Sequence, residues 1–289
     1  MTVGLLAPLL IASVLAVAVA SVHRRLPPRL ATRSTTIALV TVTVAGTSTA
    51  VTIALVYLAH VPLIGTGAAW CLKAFGLHGT VSPWVGAPLL VASVWSAVRV
   101  TRVIIDHRRW VTHVGEGLEL VDSAVPCAVT LPGRAGRIVV SRGLLDMLDE
   151  HEQRAVIEHE RSHARHRHDR YLIVASLATA ALPLVQPIAR LVRYSIERWA
   201  DDDAARACGD RRLVATTLGK VALLPSPATL AGFTGSGVAA RMAALLEPPV
   251  RRPTTSMVLS VWCAVFASGV SAATQLHHLQ PLVAALCPH

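Results

Sequence analysis

Residues 156–169 read VIEHERSHARHRHD and hold four of the thirteen histidines of this 289-residue chain. Inside that stretch, His159-Glu160-Arg161-Ser162-His163 has the HExxH spacing. On a helix, residues i and i+4 share one face, so two imidazoles can point at one zinc ion. The glutamate one step along reaches the attacking water rather than the ion. It can act as general base and then hand the proton to a leaving amine. The chemistry is hydrolysis of a peptide bond, with His159 and His163 as metal ligands and Glu160 as catalytic base. The bland alternative is a solvated polar helix face with no ion.

A catalytic zinc needs a third protein ligand and one open position. Asp169, in HARHRHD, is one candidate. It would require a sharp turn after His163, usually at a glycine, and none is present. Glu197, in YSIERWADDDAARACGD, is the other. Glu197 and Asp201 are i and i+4 on a second helix. The first can ligate the ion, and the second can hold a ligand histidine by its free N–H and so fix its tautomer. Glu197 is therefore the favoured ligand, with Asp201 behind a histidine. An ordinary acidic helix face is the competing reading, but this is the only acidic cluster in a basic chain.

Several elements must position these groups. Residues 118–142 are valine-rich runs broken by Pro and Gly, which predicts two or three strands with turns. Ser141 can cap a short helix. Asp149 and Glu152 have the capping-box spacing and predict a helix running through His168. Residues 171–190 are apolar enough for a span. However, His159, His163 and Glu197 must lie on one side of a membrane to share an ion, and the connection is too short to cross twice. Pro183 and Pro187 also break it. A membrane-dipping or interfacial hairpin is expected there, with a buried core helix as the alternative.

The rest of the chain is mostly apolar: 53% hydrophobic and 15% charged. That balance excludes an ordinary soluble domain and points to membrane segments. Stretches 3–22, 36–60, 84–105 and 254–275 each meet the length of about 20 apolar residues needed to span. AVAVAS resembles a cleavage site, but Arg24 and Arg25 follow the first apolar run instead of preceding it, so a retained anchor is expected. Arginines at 23–33, at 99–109 and at Arg251 and Arg252 mark cytoplasmic flanks. The N- and C-termini then lie outside the plasma membrane. This topology accounts for most of the +10 net charge without any direct nucleic-acid partner. The five cysteines form no CxxC pair, which excludes zinc–thiolate and thioredoxin-like readings. Cys71 and Cys287 would both face outward, either as a disulfide or as two thiols.

Three segments in order resemble the BlaR/MecR-type membrane zinc metallopeptidases, signal transducers of inducible beta-lactam resistance. They are VPCAVTLPGRAGRIVVSRGLLDMLDEHEQRAVIEHERSHARHRHD, LVQPIARLVRYSIERWADDDA and GVAARMAALL. The resemblance implies a mainly α, polytopic membrane protein. Three helices within 1–105 would precede a cytoplasmic, gluzincin-like α+β zinc peptidase domain at 106–252, and the last span and a short tail would occupy 253–289. It also implies one catalytic Zn2+ held by His159, His163 and Glu197, with Glu160 as base. Asp201 is the second acidic residue of the family's ExxxD pattern. The implied partners are the lipid bilayer and a protein substrate, typically a winged-helix repressor. A homodimer is also allowed. Two departures stand out. After the last span only LHHLQPLVAALCPH follows, with no SxxK motif, which argues against beta-lactam sensing. The HExxH helix also runs one residue longer before Asp169. A non-catalytic membrane scaffold and a CAAX-type membrane peptidase are the competing classes. The ARHRH run is expected to be a basic face toward lipid headgroups. His166, His168, Arg193 and Tyr194 are candidates for stabilising an oxyanion.

Overall fold

The computed structural model describes residues 2–59, 81–111, 117–133, 136–224, 237–247 and 266. Helix α1 (Thr2–Val22) leads through a short turn, His23–Arg25, into α2 (Pro28–Ala59), and α3 (Pro83–Val111) follows. These three helices enclose the first three predicted spans. Two of them, over Pro28–Leu58 and Pro83–Arg109, are long and apolar enough to cross a membrane. α3 turns Trp84, Val91, Val94 and Trp95 outward, large apolar side chains that suit lipid better than water. Apart from Phe266, the expected span at 254–275 lies outside the described residues, as do Cys71, Cys287 and most of the connection 61–83.

Three strands follow: β1 (Gly117–Val121), β2 (Ala128–Leu131) and β3 (Arg137–Ser141). Their order is β1-β3-β2, with β1 parallel and β2 antiparallel to β3. β3 is therefore central, and β2 forms one edge. Gly136 turns the chain between β2 and β3 at φ +68°, a conformation that favours glycine. A Cβ there would come within 2.7 Å of Ala164, so the turn also needs glycine's small size. Ser141 caps α4 (Arg142–Leu145), accepting the amide of Leu144.

Helix α5 (Glu150–His166) starts at the expected capping box, with Asp149 and Glu152 each accepting the other's backbone amide. Its buried side carries Ala155, Val156, His159, Glu160 and Ser162, so the helical period that packs the core also turns the motif inward. The helix does not run through His168 as expected. Arg167 adopts the left-handed conformation, φ 52°, and ends it. A second helix, α6 (His168–Ala181), starts at once. The short turn Pro183–Val185 joins α6 to α7 (Gln186–Cys208) as a hairpin, and α8 (Arg211–Ala222) and α9 (Val238–Leu246) complete the described chain.

Two cores meet along α7. Its first half, through Val192 and Ile196, packs with Ala12 and Ala16 of α1, Leu39 and Val42 of α2, and Ala175 and Ala178 of α6. Its second half, through Ala204 and Ala205, joins Ile138 and Val140 of β3, Val156 of α5 and Leu218 of α8. The tip of the α6–α7 hairpin lies alongside the apolar helices, since Ser96 in the middle of α3 donates to the carbonyl of Ala181 at 2.7 Å. The expected basic face at ARHRH is corrected here. His168 is fully buried, and His166 stacks on Trp199 with ring centroids 4.6 Å apart; of these side chains, Arg165 is exposed. His166 still belongs to α5, and His168, the first residue after the break at Arg167, is carried into the core.

Glycine has no Cβ penalty at the left-handed position of Arg167, whereas a β-branched residue has a large one. Arg167→Gly should hold or raise the thermal midpoint of the detergent-solubilised protein. Arg167→Val should lower stability by about 1–2 kcal/mol, read by thermal unfolding.

Candidate metal centre and active site

α5 and α7 cross so that His159, His163 and Glu197 converge, with one potential ligand atom from each within 4.8 Å of the others. His159 Nε2 lies 3.1 Å from His163 Nε2 and 3.5 Å from a Glu197 oxygen, and His163 Nε2 lies 3.7 Å from the other. Two imidazoles and a carboxylate form a donor set that suits zinc. Glu197 Oε2 is buried and makes no hydrogen bond, although Arg241 Nη1 stands 3.2 Å away. A buried carboxylate with one oxygen facing each imidazole fits a cation among them. Asp169 lines the same cavity but does not belong to this cluster.

The opposite edges of the histidines are also held. His159 Nδ1 lies 3.0 Å from Asp201 Oδ1, as the ExxxD spacing predicts. His163 Nδ1 lies 3.0 Å from His168 Nδ1. Burial, followed by the neighbouring histidines, pushes His168 down to about 2, so it is neutral and can accept the His163 proton. Burial disfavours a charged His159, but the Asp201 and Glu197 carboxylates beside it outweigh burial and raise the imidazole to about 9. Burial also works against charge on Glu197 and Asp201. Arg241 leads the interactions that hold both carboxyls below the usual carboxylate range.

Arg241 lies within GVAARMAALL, where nothing local marks a role for it. It comes from α9, is completely buried, and grips Asp201 with two hydrogen bonds: Nε to Oδ2 at 2.8 Å and Nη2 to Oδ1 at 2.7 Å. This planar fork matches a carboxylate in a way that lysine cannot. Thr130, on edge strand β2, is unmarked in the same way. Its hydroxyl donates to Glu160 Oε2 at 2.7 Å and to the Glu160 carbonyl at 2.9 Å. Neither role had a local signal, because each partner lies 30 to 40 residues away in the chain.

The third aspartate, Asp203, ties the layers together. It accepts from Ser162 and faces His166 Nε2, each at 2.8 Å, and it pairs with Arg206 and with Arg29 at the start of α2. Ser162 lies between the two ligand histidines, so this junction braces the motif against the helix that enters the apolar layer. The candidate reaction space is a cavity of about 340 Å³ lined by β2, the motif, Asp169 and Ile173 of α6, and His107 of α3. The four residues proposed from the sequence as oxyanion donors, His166, His168, Arg193 and Tyr194, do not line it.

Residues 119–195, from β1 to just before Glu197, match the model of Peptidase family M48. The chain is 38% identical over 89 residues to a protease HtpX homolog of Methanothermobacter thermautotrophicus, covering 31% of each protein. It is 27% identical over 136 residues to a protease HtpX homolog of Aeropyrum pernix, covering 43% of this chain and 41% of the relative. The chain thus covers less than half the length of either relative. No solved structure matches it. The family returned is M48 and not the BlaR/MecR type that the motifs resemble; the two share the coarser class of membrane zinc metallopeptidase.

Removing one partner from a buried charge network strands the others, at a cost of about 3–5 kcal/mol. Arg241→Ala should therefore lower the unfolding midpoint and weaken zinc binding, measured by competition with a chromophoric chelator. Arg241→Lys should restore only part of either. Glu197→Gln should lower the zinc-to-protein ratio, measured by elemental analysis, with less effect on folding.

Proposed function

We propose that the chain is a zinc-dependent endopeptidase that cleaves a protein substrate at the cytoplasmic face of the plasma membrane. The observation that carries this reading is the convergence of His159, His163 and Glu197 beside a Glu160 that Thr130 holds in place. His159, His163 and Glu197 would hold the ion, and Asp201 would orient His159. When bound, zinc would polarise the scissile carbonyl. The rest falls to the protein's own groups. Glu160 takes the proton of the attacking water and returns it to the leaving amine, and the Thr130 hydroxyl fixes the carboxylate for both transfers. An extended substrate segment adds to β2, an edge strand among the described residues, where Val129 and Thr130 border the cavity. The central strand β3, in GRIVVS, is already paired on both sides, so docking falls to β2.

Membrane placement supports the same reading. With α2 and α3 crossing the bilayer, the α6–α7 hairpin would enter the cytoplasmic leaflet and the cavity would open at the headgroup level. Residues 106–252 then form the cytoplasmic unit, with the termini outside. The BlaR/MecR resemblance adds a finer proposal: that the substrate is a regulatory protein such as a winged-helix repressor and the cleavage transmits a signal.

Protein N-termini should be compared in cells carrying wild type or Glu160→Gln at matched levels. New termini that depend on the wild type are expected, with turnover of the variant reduced roughly 10²–10⁴-fold. If Glu160→Gln binds zinc, folds and supports the same cellular phenotype with no change in termini, the chain is a scaffold. Thr130→Val should reduce turnover without reducing zinc content.

A further inference from the structure

A second cavity, of about 540 Å³, is bordered by Asp201, which does not line the reaction space. Its walls are the α1–α2 connection at Arg24, Pro27 and Pro28, the middle of α7 at Tyr194 and Arg198, and α9. Five arginines border it against three carboxylates. Asp201 is committed to Arg241 and His159, and Asp202 bridges Arg206 and Arg211 at 2.6 and 3.0 Å. Glu247 stands exposed at the rim. Among the described residues, no carboxylate pairs with Arg24 or Arg198.

Arg198 is the telling residue. It is 9% exposed, and its recorded contacts are the Arg24 carbonyl at 3.4 Å and the face of Tyr194, 6.0 Å from the ring centroid. A guanidinium withdrawn from water without an anion is costly, and the cost disappears when one arrives. Its planar fork suits a phosphate, which it can grip with two parallel hydrogen bonds. The cavity also sits where the chain leaves the apolar helices, between the turn after α1 and the start of α2. Basic pockets at that level of a membrane protein suit anionic headgroups.

We propose that this cavity is a binding site for a phosphate-bearing anion, held by Arg198 from within and Arg24 at the mouth. The phosphate can come from an anionic phospholipid or from a free phosphate compound. Because the site joins the α1–α2 connection to α7 and α9, its occupant ties the apolar helices to the helices carrying Glu197 and Arg241. The inference does not depend on the peptidase reading, since binding is measured without turnover.

The test uses the full chain in neutral detergent, with thermal unfolding followed as short-chain phosphatidylglycerol, short-chain phosphatidylcholine or inorganic phosphate is added. A saturable rise in midpoint with phosphatidylglycerol, absent with phosphatidylcholine, is expected. A similar rise with inorganic phosphate alone identifies a free phosphate as the ligand source; a rise with the lipid alone identifies the headgroup. Arg24→Gln, at an exposed position, should weaken the effect. Arg24→Gln combined with Arg198→Gln should weaken binding roughly tenfold or more. Arg108→Gln with Arg109→Gln, at the basic end of α3, should leave it unchanged. The proposal is overturned if neither anion shifts the midpoint, if Arg24→Gln binds as wild type does, or if the α3 pair abolishes the effect equally.

Discussion

The structure depends on neutralising two carboxylates that the fold buries. Glu197 and Asp201 lie one turn apart on α7, 6% and 3% exposed, in a chain with few acidic groups to spare. Unpaired, each would take up a proton or stay in water. Arg241 prevents both outcomes by gripping Asp201 with two hydrogen bonds and standing beside Glu197. Asp201 can then hold the Nδ1 edge of His159, while Glu197 turns one oxygen toward each histidine. Three helices that are distant in sequence thus share one charge balance. The docking of α9 and the readiness of the site for a cation are the same physical event.

The position of the site follows from how α7 is built. One continuous helix of 23 residues, roughly 35 Å long, serves two environments. Small and branched side chains of its first half pack against α1, α2 and α6; its second half packs against β3, α5 and α8. Glu197 and Asp201 fall at the change between them. Groups at that boundary have apolar packing on one side and, for Glu197, a cavity on the other. Asp203 adds a second link across the boundary, joining Ser162 and His166 of the motif helix to Arg29 of α2.

Much of this was legible from the chain alone. The HExxH spacing places two imidazoles on one helix face through helical geometry, whatever surrounds the helix. The capping box at Asp149 and Glu152 is equally local, and it appears as read. The ExxxD pair was legible for the same reason, since its i, i+4 spacing carries its meaning within one turn. Apolar runs of sufficient length mark helices because a bilayer or a helical core requires them. The resemblance to the BlaR/MecR type went further than the comparisons do. They return Peptidase family M48, and the shared motif explains how the two readings agree at the level of a membrane zinc metallopeptidase.

What tertiary structure decided lies between elements. Arg167, a residue that rarely adopts the left-handed conformation, ends α5 without the glycine that sequence rules look for, and His168, the first residue of the next helix, is buried. The strand order places β2 at the edge and β3 in the centre, which no strand propensity encodes. Thr130 and Arg241 acquire their roles through partners 30 and 40 residues away. Spacing within a helix turn is written in the sequence because backbone geometry is the same everywhere. Pairing across the fold is not, because it depends on which buried charge most needs a partner once the chain has packed.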